Sequence, residues 1–352
     1  MLRQVPRSRC FTHTIKESIS LHQKNRYRRT LWSLAPVAAV GLTVMTGIAS
    51  VGAYGAFKLN RTRTRWFSDS FVLTPESLRM PYKKIHLKTA DDVHLEGWFI
   101  EQTVRGKPSD RVVLCCNPYN HDKSTLLAVA RALWDTGHSV FLFDFRAFGP
   151  KPVPQETIGY LELLDGRAAL EWLRQNKPAT AKIGIMGCSM GGAVALTLVE
   201  ENDHEIVGVA TDCAFACLRD VVAHYLLQML PEKLPGKQTI SEVLISSLST
   251  CNLFWYGYDL SLVGPFAQLE KLKVPMLIVH SELDSVVPLD QARKIYERAS
   301  TPEVRKQLII VPGCEHIGSF FQDEIAYSRR IVSFLDKCFE ESAKDENKRS
   351  LS

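Results

Sequence analysis

The sequence predicts an α/β protein with a mostly parallel central sheet, helices on both faces, and one N-terminal transmembrane helix before it. Two observations support this prediction. From residue 111 onward, short apolar runs alternate with longer segments of helical periodicity, which is typical of a parallel sheet covered on both sides. Near the N-terminus, residues 31–57 form an uncharged run that is long enough to cross a bilayer.

Charge separates the N-terminal segment from the rest of the chain. The 352 residues carry a net charge of +5, yet residues 1–68 hold twelve Lys or Arg against one acid, Glu17. The remainder is therefore acidic, and an acidic body is poorly suited to binding nucleic acid. We divide this segment into a basic tail at 1–30, a transmembrane segment at 31–57 and a linker at 58–80.

The uncharged run would form a helix of roughly 40 Å at about 1.5 Å per residue, against a bilayer core of about 30 Å. Basic residues on both flanks favour a retained single-pass anchor. A cleaved signal peptide and an organellar targeting sequence are the alternatives, although the basic region before the run is long for a signal peptide. The flanks are similarly basic, so the sequence leaves membrane orientation and organelle open.

The predicted elements of the main domain, residues 81–340, follow in a regular order. Two antiparallel strands, YKKIHLKT and VHLEGWFI, flank the tight turn ADD. The apolar runs that predict buried strands are 111–116, 139–145, 181–187, 206–212, 274–280 and 306–312. The amphipathic segments that predict helices are 123–137, 160–176, the segment beginning at GGAVALTLVEE, and 323–339.

Two segments fall outside this alternation. Residues 216–268 are longer than a single crossover requires, and they predict a largely helical insertion over the edge of the sheet where a ligand would bind. Residues 341–352 form a charged tail, which we expect to be frayed.

The stretch GCSMG between a predicted strand and a predicted helix is the first candidate for chemistry. It fits the pattern G-x-S-x-G, in which the serine, here Ser189, stands on a sharp turn above the sheet. The glycines are required because a side chain at either site would clash with the neighbouring strand or helix. A serine hydroxyl is a weak nucleophile near neutral pH, so this interpretation requires a base.

His316 is the candidate base because it follows the last predicted strand and precedes the final helix. His121 and His280 also stand at strand ends, but each comes too early for the chain order serine, acid, histidine. Asp284, after the penultimate strand, is the preferred acid. Glu282 and Asp212 are the alternative acids, although Glu282 fits better as a residue of the rim and Asp212 as the cap of a loop.

An oxyanion site requires two backbone N–H groups. Met190, directly after the serine, supplies one candidate. The loop NPYNHDKST after the first parallel strand supplies the other; Pro118 has no N–H, which leaves Tyr119.

The cysteines and histidines suggest neither a disulfide framework nor a metal site. The nine cysteines are odd in number, and several lie in apolar strands that suit buried thiols in a reducing compartment. Cys213 and Cys217 form an i, i+4 pair, which is more often a packed face than a ligand set. We therefore predict no metal and no organic cofactor.

With these residues in order, the chain resembles the α/β-hydrolase superfamily over residues 82–339. The motifs that resemble its Bem46-like and serine-aminopeptidase-like branch are LFDFRAFG, GCSMGG, SELDSVVP and GCEHIGSF. The resemblance implies Ser189 as nucleophile, Asp284 as orienting acid, His316 as base, and Tyr119 and Met190 as oxyanion donors. It also implies that the FRAFG loop shapes the pocket.

This chain departs from the family pattern at two places. Asn117-Pro118 stands where His-Gly is usual after the first parallel strand, and Ser281 replaces a glycine before the acid. The first departure leaves the shape of the oxyanion loop open, while neither touches the three triad positions.

These features predict a membrane-anchored serine hydrolase that acts on an ester or thioester, with a lipid or other acyl compound as substrate. A serine peptidase or amidase acting on short peptides would use the same residues, and so would an acyltransferase. A binding protein that keeps the fold without catalysis is the alternative from another class. The sequence does not identify the substrate, a protein partner or the oligomeric state.

Overall fold

The computed structural model describes residues 41–61, 73–151, 155–199 and 203–351. Ten strands and nine α-helices occur in this part of the chain. The strands are β1 Lys83–Lys88, β2 His94–Ile100, β3 Thr103–Val104, β4 Lys107–Pro108, β5 Arg111–Cys116, β6 Ser139–Phe143, β7 Lys182–Cys188, β8 Ile206–Asp212, β9 Met276–Ser281 and β10 Lys306–Val311. The helices are α1 Gly41–Leu59, α2 Leu127–Asp135, α3 Glu162–Asn176, α4 Met190–Leu198, α5 Leu218–Met229, α6 Lys237–Tyr256, α7 Asp290–Arg298, α8 Ser319–Gln322 and α9 Glu324–Leu351.

Eight strands form the central sheet in the order β1-β2-β6-β5-β7-β8-β9-β10, and β3 pairs with β4 in a separate hairpin. Strand β2 is antiparallel to both its neighbours, whereas every pairing from β6 to β10 is parallel. The predicted mostly parallel sheet is therefore confirmed. Its parallel strands point their carboxyl ends toward one edge, where ligands bind in open α/β sheets.

Each face of the sheet carries its own apolar core. In β5, Val112 and Leu114 pack in the cluster that contains α3, α4 and α7, while Val113 and Cys115 pack in the cluster with α2 and α9. Successive side chains of a strand point to opposite faces, so a strand buried on both sides reads as one continuous apolar run. This explains why the strands could be recognised in the sequence.

Helices α5 and α6 and two short 3-10 turns, Leu260–Leu262 and Pro265–Ala267, occupy residues 216–268. We refer to this segment as the cap. Helix α5 begins six residues after β8 ends, so the cap leaves the sheet at the carboxyl edge. Gly257 ends α6 with φ of 75°, a left-handed conformation that glycine adopts without steric cost.

The C-terminal residues differ from the frayed tail that the composition indicated. Helix α9 continues through the charged segment to Leu351. Lys337 and Glu341 form an i, i+4 ion pair, and Lys182 of β7 lies 2.5 Å from Glu346. These charged residues are good helix formers, and a tertiary ion pair holds the extension against the sheet.

Helix α1 is, among the described residues, the one helix long and apolar enough to cross a membrane, judged by length and composition alone. The predicted transmembrane segment began at residue 31; its first ten residues and the basic tail lie outside the described residues. By its internal packing the chain divides into two units, Met1–Val51 and Gly52–Ser352. The second half of α1 thus belongs to the same unit as the sheet.

Candidate active site

Ser189 stands between the end of β7 and the first residue of α4. Its backbone has φ of 51° and ψ of −119°, a conformation that non-glycine residues rarely adopt. The Ser189 N–H donates to the carbonyl of Asp212 at 2.8 Å, which holds the turn against the end of β8. A sharp strand-to-helix turn of this kind presents the hydroxyl above the sheet rather than inside it.

The glycines around Ser189 are required by close backbone contacts. A Cβ at Gly187 would collide with the backbone of Gly191, and a Cβ at Gly191 would collide with the carbonyls of Cys116 and Asn117. The first turn of α4 is consequently pressed against the end of β5.

Ser189, His316 and Asp284 form a continuous hydrogen-bonded chain. His316 Nε2 lies 3.0 Å from Ser189 Oγ, and His316 Nδ1 lies 2.7 Å from Asp284 Oδ2. The three residues follow β7, β10 and β9, so the parallel sheet brings together positions that are 127 and 32 residues apart. The arrangement matches a nucleophile, a base and a group that orients the base.

Asp284 lies in surroundings that favour its ionised form. Burial acts to raise the pKa of this carboxyl, but the hydrogen bond and charge of His316, together with the Val287 N–H and the charge of His280, outweigh burial, and the net pKa is lowered. The N–H groups of Val286 and Val287 donate to Asp284 Oδ1 at 2.9 and 2.8 Å. An ionised carboxylate accepts the Nδ1–H of His316 and thereby leaves Nε2 as the acceptor for the serine proton.

The two alternative acids have other partners. Glu282 is exposed at the rim, where it accepts the N–H of Gly313 at 3.1 Å. Asp212 is fully buried, and the Tyr327 hydroxyl donates to its Oδ2 at 3.0 Å. Burial raises the pKa of Asp212 to about 6. Neither of these bonds involves His316, so the geometry favours Asp284.

The two alternative histidines also have other partners. His121 is exposed, and its Nδ1 lies 2.9 Å from the carbonyl of Tyr119 in its own loop. His280 is fully buried, with Nε2 2.9 Å from the carbonyl of Val287, and burial lowers its pKa. His280 therefore supports the turn that carries Asp284.

The proposed oxyanion donors stand on two adjoining segments. Met190 is the first residue of α4, and the first amides of a helix have no acceptor within the helix. Tyr119 is half-buried in the loop after β5, the strand end against which that helix is pressed. Within this loop the Asn117 side chain donates to the carbonyl of His121 at 2.5 Å. Asn117 thus closes the loop on itself at the position where the family usually has histidine.

Glu156 is a residue of the site region that the sequence did not indicate. It is fully buried, and its Oε1 accepts the N–H of Asn120 at 3.3 Å, while its Oε2 is buried and has no hydrogen-bond partner among the residues that the structure describes. Burial, followed by the nearby charge of Glu162, raises the pKa of Glu156 to about 8. A neutral carboxyl therefore braces the loop that contains Tyr119.

Asp144 and Arg146 fix the loop after β6. Asp144 accepts the backbone N–H of Lys123 at 2.8 Å and lies 2.5 Å from its Nζ. Arg146, in FRAFG, lies 2.8 Å from both Asp165 and Asp91 and is almost completely buried. These contacts give the FRAFG loop a structural role beside the site.

Cys213, His280 and Asp284 place potential metal-binding atoms within 4.8 Å of one another. Asp284 is already bonded to His316, and His280 to a carbonyl. Burial raises the pKa of the Cys213 thiol far above its ordinary value, which disfavours the thiolate that a metal requires. The cluster therefore fits support of the triad acid better than metal binding.

Family comparisons agree with the fold. A family model described as alpha/beta hydrolase fold matches residues 112–238, and one described as prolyl oligopeptidase family matches residues 255–342. Protein bem46 of Schizosaccharomyces pombe is 26% identical over 269 residues, covering 75% of this chain and 80% of that protein. A Saccharomyces cerevisiae protein named uncharacterized membrane protein YNL320W is 25% identical over 296 residues, covering 83% of this chain and 94% of that one.

Among solved structures, the Pyrococcus furiosus esterase Pf2001 is similar to this chain with a TM-score of 0.61 and 25% sequence identity. The match covers 79% of this chain and 98% of the esterase.

Proposed function

Because this chain belongs to the α/β-hydrolase superfamily, we propose that it is a membrane-anchored serine hydrolase that cleaves a carboxylic ester or thioester. The observation that carries this proposal is the hydrogen-bonded chain from Ser189 Oγ through His316 to Asp284, at 3.0 and 2.7 Å. Similarity to an esterase supports an ester substrate over other carbonyl compounds.

In the proposed reaction, His316 Nε2 takes the proton of Ser189 Oγ as the oxygen attacks the substrate carbonyl. Asp284 holds the imidazole in the tautomer that keeps Nε2 unprotonated and then stabilises the imidazolium. The amides of Tyr119 and Met190 receive the oxyanion, and His316 returns the proton to the leaving alcohol or thiol. Water, deprotonated by His316, then attacks the acyl-enzyme; the bond between the acyl carbon and Ser189 Oγ breaks, the carboxylic acid leaves, and His316 returns the proton to Ser189 Oγ.

Anchoring rests on α1. Its side chains are mostly exposed, as expected of a helix that faces lipid, and Lys58 in its last turn and Arg61 just after it suit a headgroup region. The similarity to a yeast protein named as a membrane protein gives further support. A substrate that carries an acyl chain would be available to an enzyme held at such a surface.

A serine peptidase is the second candidate, because the C-terminal part of the chain matches the prolyl oligopeptidase family. Both reactions use the same triad, so only substrate preference separates them. We would compare turnover of nitrophenyl esters of increasing acyl length with turnover of aminoacyl nitroanilides, for the full chain and for Ser189→Ala. We expect ester hydrolysis that the substitution abolishes; anilide turnover above ester turnover would favour the peptidase.

A further inference from the structure

The second half of α1 packs closely against α6 of the cap. A Cβ at Gly55 would lie 2.7 Å from Leu248 Cδ1, and a Cβ at Gly52 would collide with Ser247. Ala56, one turn further on, is completely buried. The helices approach this closely because the contacting residues of α1 are small.

Buried polar side chains fasten the C-terminal ends of these two helices together. Asn60, directly after α1, donates from Nδ2 to Asn252 Oδ1 at 2.6 Å, and its Oδ1 accepts the Tyr258 hydroxyl at 2.7 Å. Asn252 in turn donates to the carbonyl of Tyr258 at 2.7 Å. All three residues are buried, so a buried hydrogen-bond network joins the ends of α1 and α6.

Large apolar side chains are exposed on both helices near this junction. They are Tyr54 and Phe57 of α1 and Leu253, Phe254 and Trp255 of α6, which we name the aromatic patch. Phe254 is 81% exposed, and its ring lies 6.2 Å from that of Trp255. An exposed apolar patch of this kind marks a site of interaction with a protein or a membrane.

Cationic side chains border the patch on α1. Lys58 Nζ lies 5.6 Å from the centre of the Tyr54 ring, and the Arg61 guanidinium lies 5.3 Å from that of Phe57. Aromatic rings beside cationic groups at the end of an apolar helix are characteristic of the headgroup level of a membrane.

We propose that the aromatic patch inserts into the headgroup region of a lipid bilayer and thereby holds the cap at the membrane surface. The inference rests on the proposed function only in taking α1 as an anchor. A bilayer is favoured over a second copy of this chain because Tyr54 and Phe57 of the patch lie on α1, the proposed anchor, and because cationic side chains stand against their rings. The cap leaves the sheet at the edge that carries Ser189, so an acyl substrate would enter from the lipid.

Fluorescence quenching by brominated lipid tests the contact without any requirement for catalysis. A bimane label on Phe254→Cys in the full chain would be compared with one on Val304→Cys, an apolar side chain that is 84% exposed on a 3-10 turn. The protein without an added cysteine gives the labelling blank. In phosphatidylcholine vesicles with brominated acyl chains we expect the label at 254, and not that at 304, to lose about half its emission or more.

An equal fractional loss of emission from the two labels would overturn the proposal, and concentration-dependent dimer formation through position 254 would assign the patch to a second copy instead.

As a second measurement, Phe254→Ser with Trp255→Ser should reduce hydrolysis of a vesicle-borne ester about tenfold. Hydrolysis of a water-soluble short ester should not change, and Val304→Ser should affect neither. If the wild type hydrolyses no ester, the hydrolase proposal fails while the quenching result still decides the membrane contact.

Discussion

Ser189 illustrates how a single strained residue depends on its neighbours. Its positive φ is shared by three other non-glycine residues at the same edge of the sheet, Asn120, Cys213 and Ile317. Such conformations cost free energy and persist where the surrounding structure holds them. The hydrogen bond from Ser189 to the Asp212 carbonyl, and the contact of Gly191 with the end of β5, provide that support.

Replacing Asp284 by Asn tests the role of the acid. The amide would donate to His316 Nδ1 instead of accepting from it, which would leave Nε2 protonated and unable to take the serine proton. We expect kcat to fall about a thousandfold or more with little change in folding. Glu282→Gln is the matched control, and steady-state kinetics of both variants would identify the acid. Similar losses in the two would contradict the assignment.

Replacing Gly191 by Ala tests the close contact beside the proposed oxyanion site. The added methyl group would force the start of α4 away from the carbonyls of Cys116 and Asn117. We expect a loss of about 1–3 kcal/mol in the free energy of unfolding and about a hundredfold in turnover. Chemical denaturation and ester kinetics measure these effects. Gly47→Ala, where a Cβ has open space, should lower neither quantity, and full activity of the Gly191 variant would refute the argument.

At the scale of elements, local sequence patterns were sufficient to predict the sheet and to indicate that Ser189, His316 and Asp284 lie close together. Each of them follows an apolar strand, and parallel strands end at a common edge, so chain order alone indicated their proximity. No comparable sequence pattern predicts contacts between loops that are distant in the chain. Glu156 reaches Asn120 across 36 residues, from a polar loop without periodicity. The ion pair between Lys182 of β7 and Glu346 near the end of α9 also has no local sequence pattern. Composition alone therefore predicted a frayed tail where the structure has a helix.

Glu156, which braces the loop that contains Tyr119, makes the stability of the folded chain depend on pH. The pKa of Glu156 is raised from its ordinary value of 4.5 to about 8. Between these pH values the folded chain keeps a proton that the unfolded chain releases, so this residue makes stability fall as pH rises. Glu156→Gln keeps the acceptor for Asn120 and removes the titration.

We therefore expect the melting temperature of Glu156→Gln to exceed that of the wild type at pH 8 by more than at pH 5. Thermal denaturation at several pH values measures the difference. Glu232→Gln, at an exposed position of the cap, serves as control and should follow the wild type throughout. Parallel curves for Glu156→Gln and the wild type would show that the carboxyl is ionised in the folded protein.

At the scale of the whole molecule, the sheet, the cap and the end of α1 are parts of one arrangement. The sheet brings Ser189, His316 and Asp284 to one edge, the cap rises from that edge, and buried side chains join the cap to the residue after α1. If α1 anchors the chain as we propose, α6 connects the membrane attachment to the cap. The substrate itself depends on how the cap shapes the entrance, which apolar patterning in the sequence does not specify.

The most direct measurement is labelling of the full chain by a fluorophosphonate, which reacts with an activated serine. We expect labelling of the wild type at Ser189, and loss of labelling in both Ser189→Ala and His316→Ala, because the serine requires the imidazole as its base. Circular dichroism would establish that both variants are folded. A folded wild type that remains unlabelled, or labelling that survives in Ser189→Ala, would contradict the proposal that this triad carries the catalysis.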